Sequence, residues 1–409
     1  MMRESLNSLA VVTVISSLGL LLYSYALYPA LLWVLTKLTR SPVPEDGQPG
    51  DWPHVSILLS AYNEEQVISE RITNLLEIDY PTDKLEILVG SDGSTDRTCD
   101  LVNAHGSQRV RLVPFERRRG KASVINDLVT HARGAILVLT DANTFFAPDA
   151  VGKLVTALSH HPSASAVVGR LELRSAVHTG NLDGLYWRYE TWIKRLESHF
   201  GSVLGANGAI YAVRRERYWP LPSAAVVDDL LVPMLIRLHR GGRVFFVSDA
   251  HAYETSPVEV RHEFRRRIRI GAGDLQALTW TWPLLLPWKG MVALAYFSHK
   301  VLRWAGPLLL LIAFLANVWL LAYPLFRWLL AAQVGFYSLG LLATRLRVAP
   351  VVRLPAAAAR YFIVLNVGLL LGFLRFVVGA QRPFWGTAPR EGDSTHAAIP
   401  SAAGDIERT

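Results

Sequence analysis

One cysteine, Cys99, stands among 409 residues, which excludes an internal disulfide and any metal cage built from cysteines. Internal repeats and long low-complexity tracts are also missing, so the chain is not a repeat array. Charge is scarce at 19%, and acidic residues are the minority: 34 Asp and Glu against 42 Lys and Arg leave a net +8. Hydrophobic residues reach 51% and mean hydropathy is +0.24, too apolar for a purely soluble enzyme. In such a chain an excess of cations belongs to cytoplasmic flanks and anionic lipid before nucleic acid. The arginines cluster beside apolar spans and interfacial aromatics, so no nucleic-acid partner is expected.

Long apolar runs set the outer organisation. Leu9 to Leu35 is almost uncharged and exceeds the roughly 20 residues needed to cross a bilayer. It is too long for a cleavable signal peptide and lacks a small-residue cleavage site. Residues 1–40 therefore read as an N-terminal anchor, followed by a Pro/Gly/Asp linker over 41–53. Further spans are expected at about Trp304–Tyr323, Leu325–Ala343 and Tyr361–Ala380, about three within 301–382. Lys37 and Arg40, Lys300 and Arg303, and Arg345, Arg347 and Arg353 put the intervening domain inside and both termini outside. Arg375 and Arg382 leave the side of the C-terminal end open. Residues 383–409 read as a polar, disordered tail.

Between the spans, 54–256 alternates apolar runs with helix-like stretches, which indicates an α/β domain with a mostly parallel sheet. Strands are expected at Val55–Ser60, Leu85–Gly90, Arg109–Val113 and Ile136–Leu139. Helices are expected at Glu64–Ile78, Ala122–Ala132, Asp149–His160 and Tyr186–Phe200. Residues 257–300 are basic and amphipathic. They carry Arg261, Arg265, Arg266, Arg267 and Arg269, and a tryptophan-rich stretch from Trp280 to Trp288 suited to a membrane interface.

The central stretch is Ile136–Thr140, an apolar run that ends in Asp141 and, two residues on, Asn143. If the chain stays extended, both side chains point the same way, into the crevice where open α/β sheets bind ligands. Two hard oxygen donors there suit a divalent ion carrying a diphosphate. A strand that simply ends in an acidic turn is the plainer account. Ser60–Glu65 and Ser91–Asp96 are strand-to-helix loops at the same edge, where Asp92 can accept from a base and Tyr62 can pack on one. Their plainer account is a capped helix start at Ser94 or Asp96. Arg117–Lys121 brings cations and open N–H groups to a glycine turn before a helix, a setting for phosphate without Walker spacing. Asp228-Asp229 offers a carboxylate for proton abstraction or, more plainly, an N-cap.

In this order, Ser60–Glu65, Asp92-Gly93-Ser94, Gly120-Lys121 with Asn126, Thr140–Asn143, Gly205–Gly208, Asp228-Asp229 and Arg266–Arg269 resemble the motifs of membrane-bound family-2 glycosyltransferases. That group includes poly-N-acetylglucosamine, hyaluronan and cellulose synthases, and the likeness covers about Val55 to Trp304. It implies a GT-A-type nucleotide-sugar-binding domain and a UDP-sugar donor. Ala61, Tyr62, Glu64 and Asp92 match positions that hold the uridine, and Lys121 one near the diphosphate. Asp141 and Asn143 match the metal and nucleotide pair, which implies Mg²⁺ or Mn²⁺. Asp229 matches the general base, with Asp228 beside it. Arg266 and Arg269 match an element over diphosphate and acceptor.

Three positions depart from the pattern. Asn143 replaces a commoner aspartate, and Asp228 a usual glutamate. Ile270 stands where polymer synthases place an acceptor-lining tryptophan, which puts processivity in doubt. The expected activity is inverting transfer of a hexose or N-acetylhexosamine to a membrane-associated polysaccharide or lipid, by a multi-pass protein of the inner membrane with a cytoplasmic catalytic domain. Partner subunits for export fit the polysaccharide case. Two alternatives remain: single-sugar transfer to a lipid such as a polyprenyl phosphate, ceramide or diacylglycerol, and an inactive scaffold or transport subunit.

Overall fold

The computed structural model describes residues 2–39, 50–174, 182–206, 210–255, 260–342 and 350–381. Residues 41–49 of the expected linker and the tail after 382 lie outside them, as do Asn207 and Gly208, Arg345 and Arg347. An apolar helix, α1 (Met2–Leu38), leads into β1 (Val55–Ala61). Then follow α2 (Ile68–Leu76), β2 (Leu85–Asp92), α3 (Thr98–Ala104), β3 (Val110–Phe115), α4 (Lys121–His131) and β4 (Ile136–Thr140). These four strands run parallel in the order β3-β2-β1-β4, with Ile57 opposite Ile87 on one side and Val138 on the other.

The second half of the sheet is mixed. It contains β5 (Thr144–Phe146), β6 (Ala164–Arg174), β7 (Tyr211–Arg214) and β8 (Arg243–Thr255), with helices α5 (Ala150–His160), α6 (Leu182–His199) and α7 (Asp228–Arg240). Antiparallel β7 joins β4 to β6, and β8 runs parallel to β6 and antiparallel to β5. Eight strands among the described residues form one sheet.

All seven residues of β1 are buried because packing covers both faces of the sheet. Alternation divides them: Ile57 and Leu59 join Ile72, Leu75 and Leu154 on one side, while Leu58 joins Leu137, Leu128 and Ile236 on the other. Each such side chain contributes roughly 1.5–3 kcal/mol on burial. The second cluster continues through Ile193 of α6 to Tyr28 and Leu32 of α1 and to Tyr296. The sheet domain and the apolar helices therefore share one core.

That junction is also polar. Glu190, Lys194 and Glu197 recur at helical spacing on α6 and are all buried. They face α9 (Met291–Trp304), which follows the basic helix α8 (Val260–Thr281). His299 lies between the two carboxylates, with Nδ1 2.7 Å from Glu197 Oε1 and Nε2 3.0 Å from Glu190 Oε2. Arg303 pairs with Glu190 and donates to Tyr189 Oη at 3.0 Å. Tyr28 donates to Glu197 at 2.9 Å and Tyr189 to the carbonyl of Tyr25 at 2.7 Å. Buried charges of this kind hold only while mutually paired.

The membrane-side helices end with α10 (Gly306–Trp319), α11 (Pro324–Leu342) and α12 (Pro350–Val377). Among the described residues, three helices are long and apolar enough to cross a bilayer: α1, α11 and the Pro355–Val377 part of α12. A fourth arises if α9 and α10, bent by 58°, count as one span. The span expected at about Trp304–Tyr323 corresponds to α10, which is 14 residues long and reaches crossing length only together with α9. Pro307 at the first turn of α10 lacks the N–H that would continue the preceding helix. The tryptophan-rich stretch forms two 3-10 turns that leave Trp282 and Trp288 more than half exposed.

Helix α8 lies tightly across α12. A Cβ on Gly372 would sit 2.8 Å from the backbone nitrogen of Ala272, a separation that only glycine allows. Replacing Gly372 with Val should destabilise the protein by roughly 1–3 kcal/mol through overpacking. Thermal unfolding in detergent checks this: an unchanged midpoint would mean that the two helices can separate freely.

Candidate active site

The carboxyl ends of β1, β2 and β4 meet at one edge of the sheet. Ala61 closes β1, fully buried, and brings the chain to Asn63, which adopts a left-handed φ of 52°. From there Asn63 binds the next loop: its N–H donates to Ser94 Oγ at 3.1 Å, and its Oδ1 accepts from the N–H of Thr95 at 2.8 Å. The N–H of Glu64 donates to Thr98 Oγ1 at 2.8 Å, and that of Glu65 to Asp96 Oδ2 at 3.1 Å. The two loops thus interlock. Asp96 also accepts from the N–H of Thr98 at 3.0 Å, which satisfies the start of α3, so the capping role expected there is real.

Asp92 is fully buried at the end of β2 and fastens the basic loop. Its Oδ1 accepts from the N–H of Arg119 at 2.7 Å and its Oδ2 from that of Gly120 at 2.9 Å. Those two amides were expected to be open to phosphate; here they are spent on Asp92. Gly93 makes the approach possible. Its φ is +68°, and a Cβ there would lie 2.8 Å from the nitrogen of Arg118. The Arg118 guanidinium rests 3.7 Å from the centroid of Tyr62, covering one face of the ring expected to meet a base.

Lys121 opens α4 and reaches across the edge. Its ammonium is 2.6 Å from Asp141 Oδ1 and 2.9 Å from Asp228 Oδ1, so it bridges carboxylates from β4 and α7. Burial alone would lower its pKa, but the two carboxylates outweigh that and raise it. Asp228 and Asp229 are the first two residues of α7, after the N-cap position Val227, so both carboxylates lie at a helix start. Burial raises the pKa of Asp228 against the pull of Lys121. Burial, then the neighbouring Asp228, push Asp229 up to about 6. Among the described residues, no other side chain hydrogen-bonds the Asp229 carboxylate, and the nearby backbone N–H of Leu230 acts to lower its pKa. Arg269 of α8 lies within electrostatic reach of Asp228, Asp141 and Asp229, and burial, then Arg266, lower its pKa. One turn of helix sets Arg266 beside it. Ile270 packs into the core around α7.

Asp141 and Asn143 do not stay side by side. The chain turns after β4, with the N–H of Thr144 3.4 Å from the carbonyl of Asp141. Asn143 instead donates from Nδ2 to Glu254 Oε1 of β8 at 2.8 Å. The donor chemistry nonetheless fits a divalent ion. The Asp141 carboxylate is one-third exposed, and one ammonium already bridges it to a second carboxylate. Among the described residues, no group of three His, Cys, Asp or Glu could hold an ion alone. An ion here would need oxygens from a bound diphosphate, the usual manner of Mg²⁺.

Sequence reasoning missed Arg71. It occupies the apolar face of α2 with Ile68, Ile72 and Leu75, and a lone cation in such a stripe was the available signal. Glu254 and the linking role of Asn63 were missed as well; no local pattern marks either one.

Comparison with known proteins agrees with this geometry. Residues 56–217 match the family described as Glycosyl transferase family 2. This part of the chain is a family 2 glycosyltransferase domain. The poly-beta-1,6-N-acetyl-D-glucosamine synthase of Staphylococcus aureus (strain COL) is 25% identical over 232 residues, 55% of each chain. The beta-monoglucosyldiacylglycerol synthase of Synechocystis sp. is 24% identical over 344 residues, 76% of this chain and 70% of that one. The chain spans about half the length of the first curated relatives it matches, 55%. Among solved structures, the mannosyltransferase PcManGT from Pyrobaculum calidifontis, in complex with GDP-Man and Mn²⁺, has a TM-score of 0.70 at 23% identity. The likeness covers 91% of this chain and 99% of that one. It establishes a GT-A-like fold that extends into the terminal apolar helices. The family match stops before Asp228-Asp229 and Arg266–Arg269.

Because the Asp92 carboxylate accepts from the N–H groups of both Arg119 and Gly120, Asp92→Ala should release both amides. Hydrogen exchange read by NMR or mass spectrometry should speed up in 117–121 by roughly ten- to a hundredfold, the equivalent of losing a charged hydrogen bond of about 1.5–3 kcal/mol. Unaltered protection would mean that the loop is held by other contacts.

Proposed function

We propose that the chain transfers a hexose or N-acetylhexosamine from a UDP-sugar, with inversion, to a hydroxyl of a membrane-associated acceptor. The observation that carries this reading is the half-buried Asp229 carboxylate, with a pKa near neutrality and no side-chain hydrogen bond among the described residues. It sits beside the Lys121–Asp141–Asp228 bridge. A general base is most useful when its pKa lies near the working pH. Asp229 takes the acceptor hydroxyl proton as that oxygen attacks the anomeric carbon from the face opposite the diphosphate. The bond from the anomeric carbon to the diphosphate oxygen breaks, and UDP carries off the electron pair. Lys121, Arg266 and Arg269 offset the charge that develops there. A bound Mg²⁺ or Mn²⁺, held by Asp141 together with the donor's phosphates, would supply additional neutralisation. Ala61, Tyr62, Glu64 and Asp92 border the nucleoside end.

For the acceptor, a single lipid hydroxyl is favoured over a growing polymer. Ile270, half-buried against the core, offers no aromatic platform for a sugar chain, and the three or four candidate spans among the described residues leave little room for a translocation path. The Synechocystis relative, named for a glucosyldiacylglycerol product, aligns over more of this chain than the polymer synthase does. The catalytic domain is proposed to face the cytoplasm, with the cations at Lys37, Lys300 and Arg303 on that side.

In lipid nanodiscs, radiolabelled UDP-glucose, UDP-galactose and UDP-N-acetylglucosamine offered with Mn²⁺ and a lipid extract should give a small, solvent-extractable product. Label in large water-soluble material would replace the lipid reading with polymer synthesis; no transfer from any of the donors would sink the activity. Asp229→Asn should cut turnover by roughly a hundred- to ten-thousandfold while UDP-sugar still binds. Since the base acts ionised, kcat/KM should rise with pH through about 6 with a one-proton slope, because below that pH Asp229 holds the proton it must accept. A profile flat from pH 5 to 8 would remove Asp229 from the base role.

A further inference from the structure

Arg71 is fully buried beneath the sheet edge, and among the described residues no carboxylate lies within ion-pair distance of it. Its Nη1 donates to Asn74 Oδ1 at 2.5 Å and its Nη2 to Thr140 Oγ1 at 2.8 Å. The guanidinium carbon stands 4.4 Å from the centroid of Phe146, and Nε has no hydrogen-bond partner. Asn74 does not need the arginine for its own placement. It accepts from the N–H of Phe146 at 2.9 Å and donates to the carbonyl of Phe146 at 3.0 Å, pinning β5 directly. An apolar side chain of similar length would fill this space without the expense of dehydrating a charge. Packing therefore does not account for an arginine here. Its surroundings offer another reason: Thr140 is the last residue of β4, and the next residue is Asp141. Although burial pulls its pKa down to about 9, Asp141 is the charge that acts against that fall, and Arg71 stays ionised at neutral pH.

We infer that Arg71 is a positioning residue for the diphosphate end of the donor: its fixed, buried charge sets a positive potential at Asp141 and inclines the site toward the nucleotide anion and against a bare divalent cation. This inference rests on the proposed nucleotide-sugar reading. A charge held in low dielectric, out of reach of solvent and salt, acts on its neighbours far more strongly than a surface arginine would. Lys121 cannot serve this purpose alone, because its ammonium is already shared between Asp141 and Asp228.

The sign of the effect separates this role from a structural one. Arg71→Met should leave the melting temperature of the full-length protein in detergent unchanged or higher. It should tighten bare Mn²⁺ binding, read by EPR of free Mn²⁺, and weaken metal-free UDP binding, read by calorimetry, each on the order of tenfold. Arg71→Lys, which keeps the charge, should restore both affinities toward the native values. Arg71→Gln, neutral but able to donate to Thr140, should behave like the methionine variant, and it carries the test if Arg71→Met does not fold. Unchanged Mn²⁺ and UDP affinities in a folded neutral variant would overturn the inference. So would a parallel loss of both affinities and of thermal stability in every variant, Lys included, since that describes a merely structural arginine. A native protein that binds Mn²⁺ but no UDP would instead refute the proposed donor, with the Mn²⁺ response still deciding whether Arg71 sets the local potential.

Discussion

The ammonium of Lys121, held between Asp141 and Asp228, is the contact on which the candidate site depends. It joins the end of β4 to the start of α7, two elements that meet in no other ion pair among the described residues. Two carboxylates at this separation would repel one another without a cation between them. Once the pair is compensated, Asp229 can stand beside it, half-buried and near neutrality, with its proton affinity raised by burial and by Asp228. The chemistry proposed for the chain follows from that charge arrangement.

Around this bridge the loops are arranged so that each holds the next. Asn63 ties the β1 loop to the β2 loop, Asp92 ties β2 to the basic loop, and that loop delivers Lys121. Hydrogen bonds donated by backbone N–H groups to a buried carboxylate are among the stronger contacts a loop can have. The edge is therefore held together by its own side chains and loops, the kind of fixed polar frame that stabilises charge as it develops. Below it, the buried ionic seam of Glu190, Glu197, His299 and Arg303 fixes the same body to the helices that would meet the bilayer. Helix α8 spans both regions: it packs tightly on α12 and carries Arg269 toward Asp228 and Asp229. In the proposed reaction, this helix would bring a membrane-delivered acceptor and a sheet-bound donor to one place.

Much of this was legible in the sequence, and the reason is periodicity. Buried strands such as Val55–Ala61 and Ile136–Thr140 read directly as unbroken apolar runs, because packing on both faces admits no polar residue. Apolar length announced α1, α11 and the end of α12, and the order of small motifs announced the family. The helix after β1 was shorter than expected, starting at Ile68, because Asn63, Glu64 and Glu65 spend their N–H groups on the neighbouring loop. Strand β7 escaped notice because four residues carry too little pattern. The separation of Asp141 from Asn143 also escaped, because alternation along a strand stops applying where the chain turns.

By itself, then, the sequence determined which segments bury themselves, which cross an apolar layer, and which residue types crowd the carboxyl edge of the sheet. Those are properties of local composition and spacing. Only the tertiary structure decided that Lys121 reaches Asp228 across about a hundred residues, that Asp92 turns its carboxylate onto a loop amide, that Asn143 leaves Asp141 for Glu254, and that an arginine lies dehydrated under Thr140. Hydrogen bonds and Coulomb interactions act over a few ångströms in space and are indifferent to separation along the chain. Which charges meet, and hence which are neutral, ionised or strained, is therefore fixed only when the fold closes.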